Sequence, residues 1–344
     1  MAGCCGTSDR QRLIVKPSEL TSVTTLLFMR AFEPLPAGLV QCITGGQRVG
    51  TRLCASHDTH MVAFTGGVET GKAVARACAE RFKPTLIEAS GNDPFIVMPS
   101  APLEQAVRGA AFAAFLNCGQ VCTSAERFYV HESIHDAFVE KLVHATRSLR
   151  IGNGLDRVDL GPMVSSHERE RFEVVLAGAV DEGAKIVTGG HRPDSLEKGW
   201  FMQPTVLSGV SPDMAILNNE SFGPVAPICK VANFEQAIEL ANHSRLGLGA
   251  TVYTTDLNEA MQAVREIEAG MVWVNAPLLD NDAGPFGGRK MSGLGRELGP
   301  EGLETFRQDK LAMIDPAASA QDFWWFPYHD QEAYVDTQSE HRSS

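Results

Sequence analysis

The sequence predicts an α/β protein in which short apolar strands alternate with amphipathic helices over most of its 344 residues. Apolar runs bounded by proline or glycine are typical of buried strands. The segments between these runs repeat apolar residues at helical spacing, and strands that alternate with helices form parallel sheets. A chain of this length can build two domains, each with its own core.

The first part of the chain is predicted to begin with a strand at Leu13-Ile14-Val15. Ser18 follows and caps a helix that continues to about Phe32, where prolines end it. Further strands are expected at 38–44, 61–65 and 84–87, with a helix at 69–82 between the last two.

In the second part a strand at 95–98 leads to a helix of small residues at 102–116. Ser133 and Ser166 are expected to cap two later helices, and Gly183 stops the second of them. Asp256 and Glu259 have the spacing of a capping box, which opens a helix to about residue 270. The remaining predicted elements are strands at 127–131, 185–188, 250–254 and 271–275 and a helix at 234–242.

The composition restricts the possible partners and compartments. The net charge is −12, which argues against a nucleic-acid or anionic-membrane partner. No run approaches the roughly 18 apolar residues of a membrane span. The eight cysteines are scattered along the chain, which is typical of reduced thiols in a cytoplasmic protein. Cys118 and Cys122 have no matching His or Cys cluster, so no metal site is expected.

The candidate nucleophile is Cys122, in the sequence Asn-Cys-Gly-Gln-Val-Cys at 117–122. Gly119 breaks the preceding helix and a cysteine follows just past the break. Glu88 lies 34 positions upstream, at the end of a predicted buried strand. A thiol and a strand-end carboxylate are a plausible pair for covalent catalysis. Taken singly, such a cysteine is more often a small buried hydrophobe, and such a glutamate is usually solvated.

A glycine-rich turn at 65–73 joins a predicted strand to a predicted helix. Its sequence is close to the phosphate-loop motif of nucleotide hydrolases, and a phosphate loop is therefore the alternative interpretation of this turn. Ala73 stands where that motif requires a hydroxyl for magnesium. Because a helix N-terminus offers free amides to a pyrophosphate, we interpret the turn as a dinucleotide-binding site instead.

Together these stretches resemble the aldehyde dehydrogenase superfamily over about residues 13–315. The match comprises six motifs in the family's order, including the glycine-rich Pro-Phe-Gly-Gly stretch that begins at Pro285. The fold implied is aldehyde dehydrogenase-like α/β, with a partial Rossmann-type NAD-binding domain and an α/β catalytic domain. The residues that match the family's functional positions are Cys122 as nucleophile, Glu88 as general base, Gly66, Gly67 and Gly71 in the pyrophosphate turn, Lys16 and Glu19 at the adenosine ribose, and Glu220 and Phe222 at the nicotinamide side.

The resemblance implies oxidation of a small aldehyde to its carboxylic acid with NAD. In this chemistry the cysteine thiolate forms a thiohemiacetal and then a thioester, which water hydrolyses. Glu19 would repel the additional phosphate of NADP, so NAD is favoured over NADP. The family resemblance and a terminal segment rich in aromatic residues at 322–328 imply a homodimer or homotetramer.

The chain departs from the family's pattern at its start. The segment that ordinarily precedes Lys16, with an asparagine that supplies an oxyanion donor, has no counterpart in residues 1–12. We therefore expect an amino-terminally truncated member. The predicted division is a disordered start at 1–12, a partial dinucleotide-binding domain at 13–90, a catalytic domain at 91–305 and an aromatic arm and tail at 306–344.

Two further departures lie near the cofactor: Gly67 replaces a serine, and Ala89-Ser90 replaces Leu-Gly. Since only the backbone amide is needed at Gly67, that change should be tolerated. Ser90 places a side chain where the backbone ordinarily lies close to the nicotinamide.

The alternative function is a catalytically impaired or non-catalytic fragment that acts as an interaction subunit.

Overall fold

The structure, a computed structural model, describes residues 11–316 and has the predicted alternation of strands and helices. The strands are β1 Leu13–Val15, β2 Val40–Cys42, β3 Val62–Thr65, β4 Thr85–Glu88, β5 Asp93–Val97, β6 Ala125–His131, β7 Lys185–Thr188, β8 Thr205–Ser208, β9 Val225–Val231, β10 Leu246–Gly247, β11 Thr251–Tyr253, β12 Trp273–Val274, β13 Arg289–Lys290 and β14 Gly293–Leu294. The helices are α1 Ser22–Met29, α2 Gln47–Ala55, α3 Val68–Ala79, α4 Leu103–Phe115, α5 Glu132–Arg147, α6 Ser166–Asp181, α7 Ala215–Asn218, α8 Phe234–Asn242, α9 Leu257–Glu266 and α10 Gly299–Glu304.

The largest sheet has seven strands in the order β12-β11-β5-β6-β9-β8-β7. All neighbouring pairs are parallel except β7 and β8, which are antiparallel. This arrangement confirms the predicted parallel α/β architecture, since the parallel strands are joined by crossover helices. The carboxyl ends of its parallel strands therefore share one edge, where the loops that follow them meet.

The main hydrophobic core lies on this sheet and under the helices that cover it. Phe95, Phe128 and Tyr253 occupy three neighbouring strands, and all three are buried. The Phe95 ring centroid is 5.1 Å from that of Phe128 and 5.3 Å from that of Tyr253. Such buried aromatic contacts fix the relative positions of β5, β6 and β11.

The strands near the start of the described chain form two smaller sheets. β1 and β2 make a parallel pair, whereas β3 and β4 are parallel to each other and β14 joins them in antiparallel orientation. A second, small core of Val68, Ile87, Ala89 and Leu246 lies beside β4. A short antiparallel pair, β10 with β13, ties the glycine-rich segment to the main part of the chain. The glycine-rich segment therefore reaches the strand end that carries Glu88.

Several predicted helix boundaries were wrong. The α5 helix is capped by His131, whose Nδ1 accepts a hydrogen bond from the Ser133 amide at 3.2 Å, rather than by Ser133. Ser165, not Ser166, caps α6, and Gly183 ends it with a φ of 109° as predicted. In each case the side chain one or two positions earlier accepts the hydrogen bond from the free amide.

Two further differences concern α9 and α2. Asp256 caps α9, but Glu259 accepts a hydrogen bond from the Thr254 hydroxyl instead of completing a capping box, and the helix ends at Glu266. The α2 helix was not predicted from the sequence. It begins after Gly46 without a side-chain cap, so the usual start signal is missing.

The chain divides into two units, Met1–Arg307 and Gln308–Ser344. Both the proposed 13–90 and 91–305 domains fall in the first unit, and the boundary at residue 90 stays a prediction. Of the second unit, the described residues 308–316 contain no helix or strand. The predicted disordered start lies largely, and the aromatic segment at 322–328 wholly, outside the described residues. None of the ten helices within residues 11–316 has both the length and the hydropathy that a bilayer-spanning segment requires.

Candidate active site

Cys122 follows a tight turn at the end of α4. Asn117, Cys118 and Gly119 have φ values of 51°, 61° and 70°, so three consecutive residues adopt the left-handed conformation. Side-chain amides hold this turn: Asn117 Nδ2 donates to the Gln120 carbonyl, and Gln120 Nε2 donates to the Asn117 carbonyl, each at 3.1 Å. Gln120 Oε1 also accepts from the Val164 amide at 2.9 Å. The asparagine and glutamine of the motif therefore stabilise the turn that presents the cysteine.

Two glycines allow other backbone segments to pack directly against this turn. A Cβ on Gly119 would lie 2.1 Å from the carbonyl oxygen of Gly223. A Cβ on Gly91 would lie 1.9 Å from the carbonyl oxygen of Cys122. Both distances are far too short for any side chain, so glycine is required at these two positions. The loop after β4 and the 219–223 segment thus meet at the cysteine.

Glu88 lies close enough to the Cys122 thiol for each group to shift the pKa of the other. It ends β4, is 6% exposed, and its Oε1 accepts no hydrogen bond from any described residue. Burial raises the pKa of Glu88, while the contact with the Cys122 thiol opposes this rise. Burial, followed by the negative charge of Glu88, raises the pKa of Cys122. Burial therefore favours the protonated form of the thiol and makes the Glu88 carboxylate a stronger base than it would be in water.

The glycine-rich segment covers the strand end that carries Glu88. β14 runs antiparallel to β4 with Gly293 opposite Glu88. Ser292 is fully buried; its carbonyl accepts from the Ala89 amide at 2.8 Å and its hydroxyl donates to the Ser90 carbonyl at 2.7 Å. These two hydrogen bonds hold the backbone of Ala89 and Ser90, the residues that follow Glu88.

Glu220 lies at the same loop. Its side chain interacts with the Ser90 hydroxyl and the Gly91 amide, and burial raises its pKa. Ser90, which departs from the family's pattern, therefore interacts with Glu220, one of the predicted cofactor-binding residues. Phe222 follows with a φ of 46°, again left-handed. The structure therefore brings Cys122, Glu88 and Glu220 into one cluster, with Phe222 on the same turn as Glu220.

The predicted pyrophosphate turn connects β3 to α3. The Gly66 amide donates to the Glu88 carbonyl at 3.1 Å, which links the turn to the strand end that carries Glu88. Gly67 precedes the first residue of α3, and a Cβ there would meet nothing within 4 Å. Gly71 packs on β4, where a Cβ would lie 3.1 Å from Ile87 Cγ2. The first amides of α3 have no partner within the helix, so this end can accept an anion.

Lys16 and Glu19 lie together beside the start of α2. Lys16 Nζ donates to the carbonyls of Pro17 and Gly45, both at 2.7 Å. A Cβ on Gly46 would lie 2.7 Å from Glu19 Oε1, so the carboxylate stands directly over the first turn of α2. Within residues 11–316 no hydrogen bond joins this pair to the Cys122 cluster.

The sequence interpretation missed a set of buried polar residues behind the cysteine. Asn92, Asp93, Glu126 and Arg127 are each at most 4% exposed. Arg127 Nε donates to the Asn92 carbonyl at 2.7 Å, and Asp93 Oδ1 accepts from the Gly249 amide at 3.0 Å. The one signal available was the Glu-Arg pair in β6, ahead of the run Phe128-Tyr129-Val130. A charged pair in such a run is costly to bury unless it is hydrogen-bonded.

The described part of the chain has no group of three or more His, Cys, Asp or Glu side chains arranged to hold a metal ion. The chemistry available at the site is that of a thiol, a basic carboxylate and a helix N-terminus. A thiol beside a buried carboxylate is an arrangement that enzymes with a covalent cysteine intermediate use.

The chain belongs to the aldehyde dehydrogenase family. The sequence profile of that family, described as "Aldehyde dehydrogenase family", matches residues 11–312. The betaine aldehyde dehydrogenase of Bacillus subtilis is 37% identical over 320 residues, which cover 91% of this chain and 65% of that protein. The succinate-semialdehyde dehydrogenase of Paenarthrobacter nicotinovorans is 38% identical over 310 residues, covering 88% of this chain and 68% of that protein.

A solved structure shows the same likeness. The betaine aldehyde dehydrogenase of Staphylococcus aureus in complex with NAD+ matches with a TM-score of 0.83 and 36% identity, covering 86% of this chain and 60% of that chain. This chain therefore spans 60–68% of the length of these three relatives.

Proposed function

We propose that this protein oxidises an aldehyde to a carboxylic acid with NAD, using Cys122 as the nucleophile and Glu88 as the general base. The observation that carries the proposal is the proximity of the Cys122 thiol to the buried Glu88 carboxylate, with the loop that follows Glu88 packed against the Cys122 backbone at Gly91. Membership of the family supports it, as do the NAD+ complexes among its solved relatives. The alternative, a non-catalytic interaction subunit, has no comparable observation in its favour.

The reaction begins when Glu88 takes the proton of the Cys122 thiol. The thiolate attacks the carbonyl carbon, a carbon–sulfur bond forms, and the carbonyl electron pair moves to oxygen to give a thiohemiacetal. The Cys122 amide donates to no acceptor among the described residues, so it is free to bind that oxygen. One such donor is typically worth about 100- to 1000-fold in rate.

When bound, NAD supplies the hydride acceptor that converts the thiohemiacetal carbon to a thioester. Glu88 releases the thiol proton to solvent and then removes a proton from water, and the hydroxide attacks the thioester carbon. The carbon–sulfur bond breaks, the Cys122 thiolate leaves, and the carboxylic acid is released. The unpartnered Oε1 of Glu88 is a suitable acceptor for the water proton. Glu88 therefore serves both half-reactions.

The described residues fit a dinucleotide. The α3 N-terminus behind Gly66 and Gly67 is unobstructed and would hold the pyrophosphate. Lys16 and Glu19 would hold the adenosine ribose, with the Glu19 carboxylate accepting from its hydroxyls. Glu220 and Phe222 would face the nicotinamide ribose and ring. Because the Glu19 carboxylate repels a phosphate on that ribose, NAD is preferred to NADP.

We also propose that the protein acts as a homodimer or homotetramer in the cytoplasm. Val23 and Leu27 of α1 are 73% and 61% exposed, and large exposed apolar side chains on one helix favour a contact between chains. The six described cysteines are free, which agrees with a reducing compartment. Light scattering on the purified protein tests the assembly: a mass of one chain would contradict it.

The test of function is NADH formation from NAD and a panel of small aldehydes. We expect a burst of NADH that Cys122→Ala abolishes and that the matched control Cys229→Ala, buried in β9, retains. A folded wild-type protein that gives no NADH with any aldehyde would contradict the proposed activity and leave the interaction subunit as the better proposal.

A further inference from the structure

Glu126 is a buried carboxylate for which the reaction above gives no role. It lies four residues after Cys122, in the apolar strand β6, and is 2% exposed. Burying a carboxylate is costly unless its oxygens are fully hydrogen-bonded. What surrounds Glu126 therefore indicates why a carboxylate is retained there.

Three donors surround the carboxylate. Oε1 accepts from the Phe222 amide at 2.7 Å, and Oε2 accepts from the Ser221 amide at 2.8 Å and from Asn92 Nδ2 at 3.1 Å. All three groups donate, so each of them stabilises the ionised form of the carboxylate. Burial, followed by the nearby Glu220 charge, raises the pKa of Glu126 to about 8, and these hydrogen bonds oppose the rise. Glu126 thus joins β6 to the Glu88–Asp93 loop and to the 220–222 turn.

The 220–222 turn depends on outside contacts for its shape. Phe222 is left-handed, a conformation that a residue with a side chain adopts only when its surroundings enforce it. The two adjacent amides of Ser221 and Phe222 converge on Glu126, as backbone amides converge on a bound anion. On the carbonyl side Arg171 Nη2 donates to Ser221 at 2.7 Å. The Ser221 hydroxyl, fully buried, has no partner among the described residues and adds no support.

We propose that Glu126 is a positioning residue that holds Glu220 and Phe222 in register with the strand that follows Cys122. It substitutes for an anion in the two-amide turn, so that the nicotinamide side of the site is formed before the cofactor arrives. Glu126 touches neither substrate nor cofactor and acts through the turn. The inference rests on the proposed function, because the roles of Glu220 and Phe222 do.

Glu126→Gln is the direct test. The variant keeps the size of the side chain, but its amide nitrogen would face an N–H group, so at least one donor loses its acceptor. Hydrogen–deuterium exchange should become faster at the Ser221 and Phe222 amides. Calorimetry should show NAD binding about tenfold weaker, the loss expected for one charge-assisted hydrogen bond. The rate at which iodoacetamide alkylates Cys122 should stay within about twofold of the wild-type rate. The control Glu140→Gln, exposed on α5, should change none of the three measurements.

A second variant covers the case in which Glu126→Gln does not fold. Arg171→Gln removes the contact on the opposite side of the same turn, and it should give the same combination of faster local exchange, weaker NAD binding and unchanged Cys122 alkylation. Unchanged exchange and NAD affinity in a folded Glu126→Gln would overturn the proposal. So would parallel changes in NAD binding and Cys122 alkylation, which indicate a general structural role. Since the exchange measurement needs no activity, it decides the matter even if the wild-type protein oxidises no aldehyde.

Discussion

The carbonyl oxygen of Cys122 occupies the space in which a side chain at residue 91 would lie, only 1.9 Å from the position of a Cβ on Gly91. The two residues are 31 positions apart in sequence, yet their backbones are in contact. This contact joins the loop that follows Glu88 to the turn that carries Cys122. Backbone packing therefore helps to set the position of Glu88, the proposed base, relative to Cys122, the proposed nucleophile.

Gly91→Ala should consequently disable the site. The methyl group can be accommodated only if the Cys122 backbone moves, and a displacement of about 1 Å at reacting groups costs roughly 100-fold in rate. We expect Cys122-dependent NADH formation to fall by about that factor. Gly178→Ala in α6, where a Cβ meets nothing within 4 Å, is the matched control and should keep the wild-type rate. Wild-type activity in Gly91→Ala would contradict the contact.

Glu88→Gln should make the Cys122 thiol more acidic. After burial, the nearby Glu88 carboxylate is the next cause of the raised Cys122 pKa. An uncharged glutamine removes the repulsion of the thiolate, so the pH profile of iodoacetamide alkylation at Cys122 should shift to lower pH. Aldehyde oxidation should nevertheless fall, because no base remains for the thiol or for water. Glu80→Gln, exposed at the end of α3, should leave the profile in place; a profile unmoved in Glu88→Gln would refute the coupling.

Asp93→Asn should change how stability depends on pH. Burial raises the pKa of Asp93 to about 7, whereas in the unfolded chain it is about 3.9. The folded protein therefore binds more protons than the unfolded chain between these values, and its unfolding free energy falls as the pH rises from about 4 to about 7. The expected loss is on the order of 4 kcal/mol, and asparagine removes it because it does not titrate.

The measurement is urea unfolding of wild type and Asp93→Asn at several pH values. The difference in unfolding free energy should move in favour of the variant as the pH rises from 4 to 8. Glu126, whose pKa is also raised, is present in both proteins, so its contribution cancels. Asparagine still offers an oxygen to the Gly249 amide, and its nitrogen would replace Oδ2, which has no described partner. A difference that does not vary with pH would contradict the raised pKa of the buried Asp93.

The sequence was sufficient to predict those features that depend on residues close together in the chain. The parallel architecture, the break after α4 and the positions of Cys122 and Glu88 follow from apolar spacing, a helix-breaking glycine and a strand end. The resemblance to a family added the assignment of Lys16 and Glu19, which the structure places against the adjacent Gly45 and Gly46. Their role at the cofactor stays a prediction.

Features that depend on distant contacts were not predictable. Glu126 and Ser221 are 95 positions apart, and no local pattern shows that a carboxylate in β6 will meet two amides there. The burial of Asp93 depends equally on Gly249, 156 positions away. The predicted caps of α5 and α6 were wrong because His131 and Ser165 also lie within reach of the free amides and accept their hydrogen bonds.

The most direct test of the central claim is detection of an acyl group on Cys122. The wild-type protein is mixed with NAD and excess propanal, quenched in acid within the first turnover, digested, and analysed by mass spectrometry. The account predicts a propionyl thioester on the peptide that contains Cys122, absent without NAD and absent in Cys122→Ala. A protein that forms NADH from propanal yet carries no acyl group on Cys122, or carries it on another cysteine, would contradict the account.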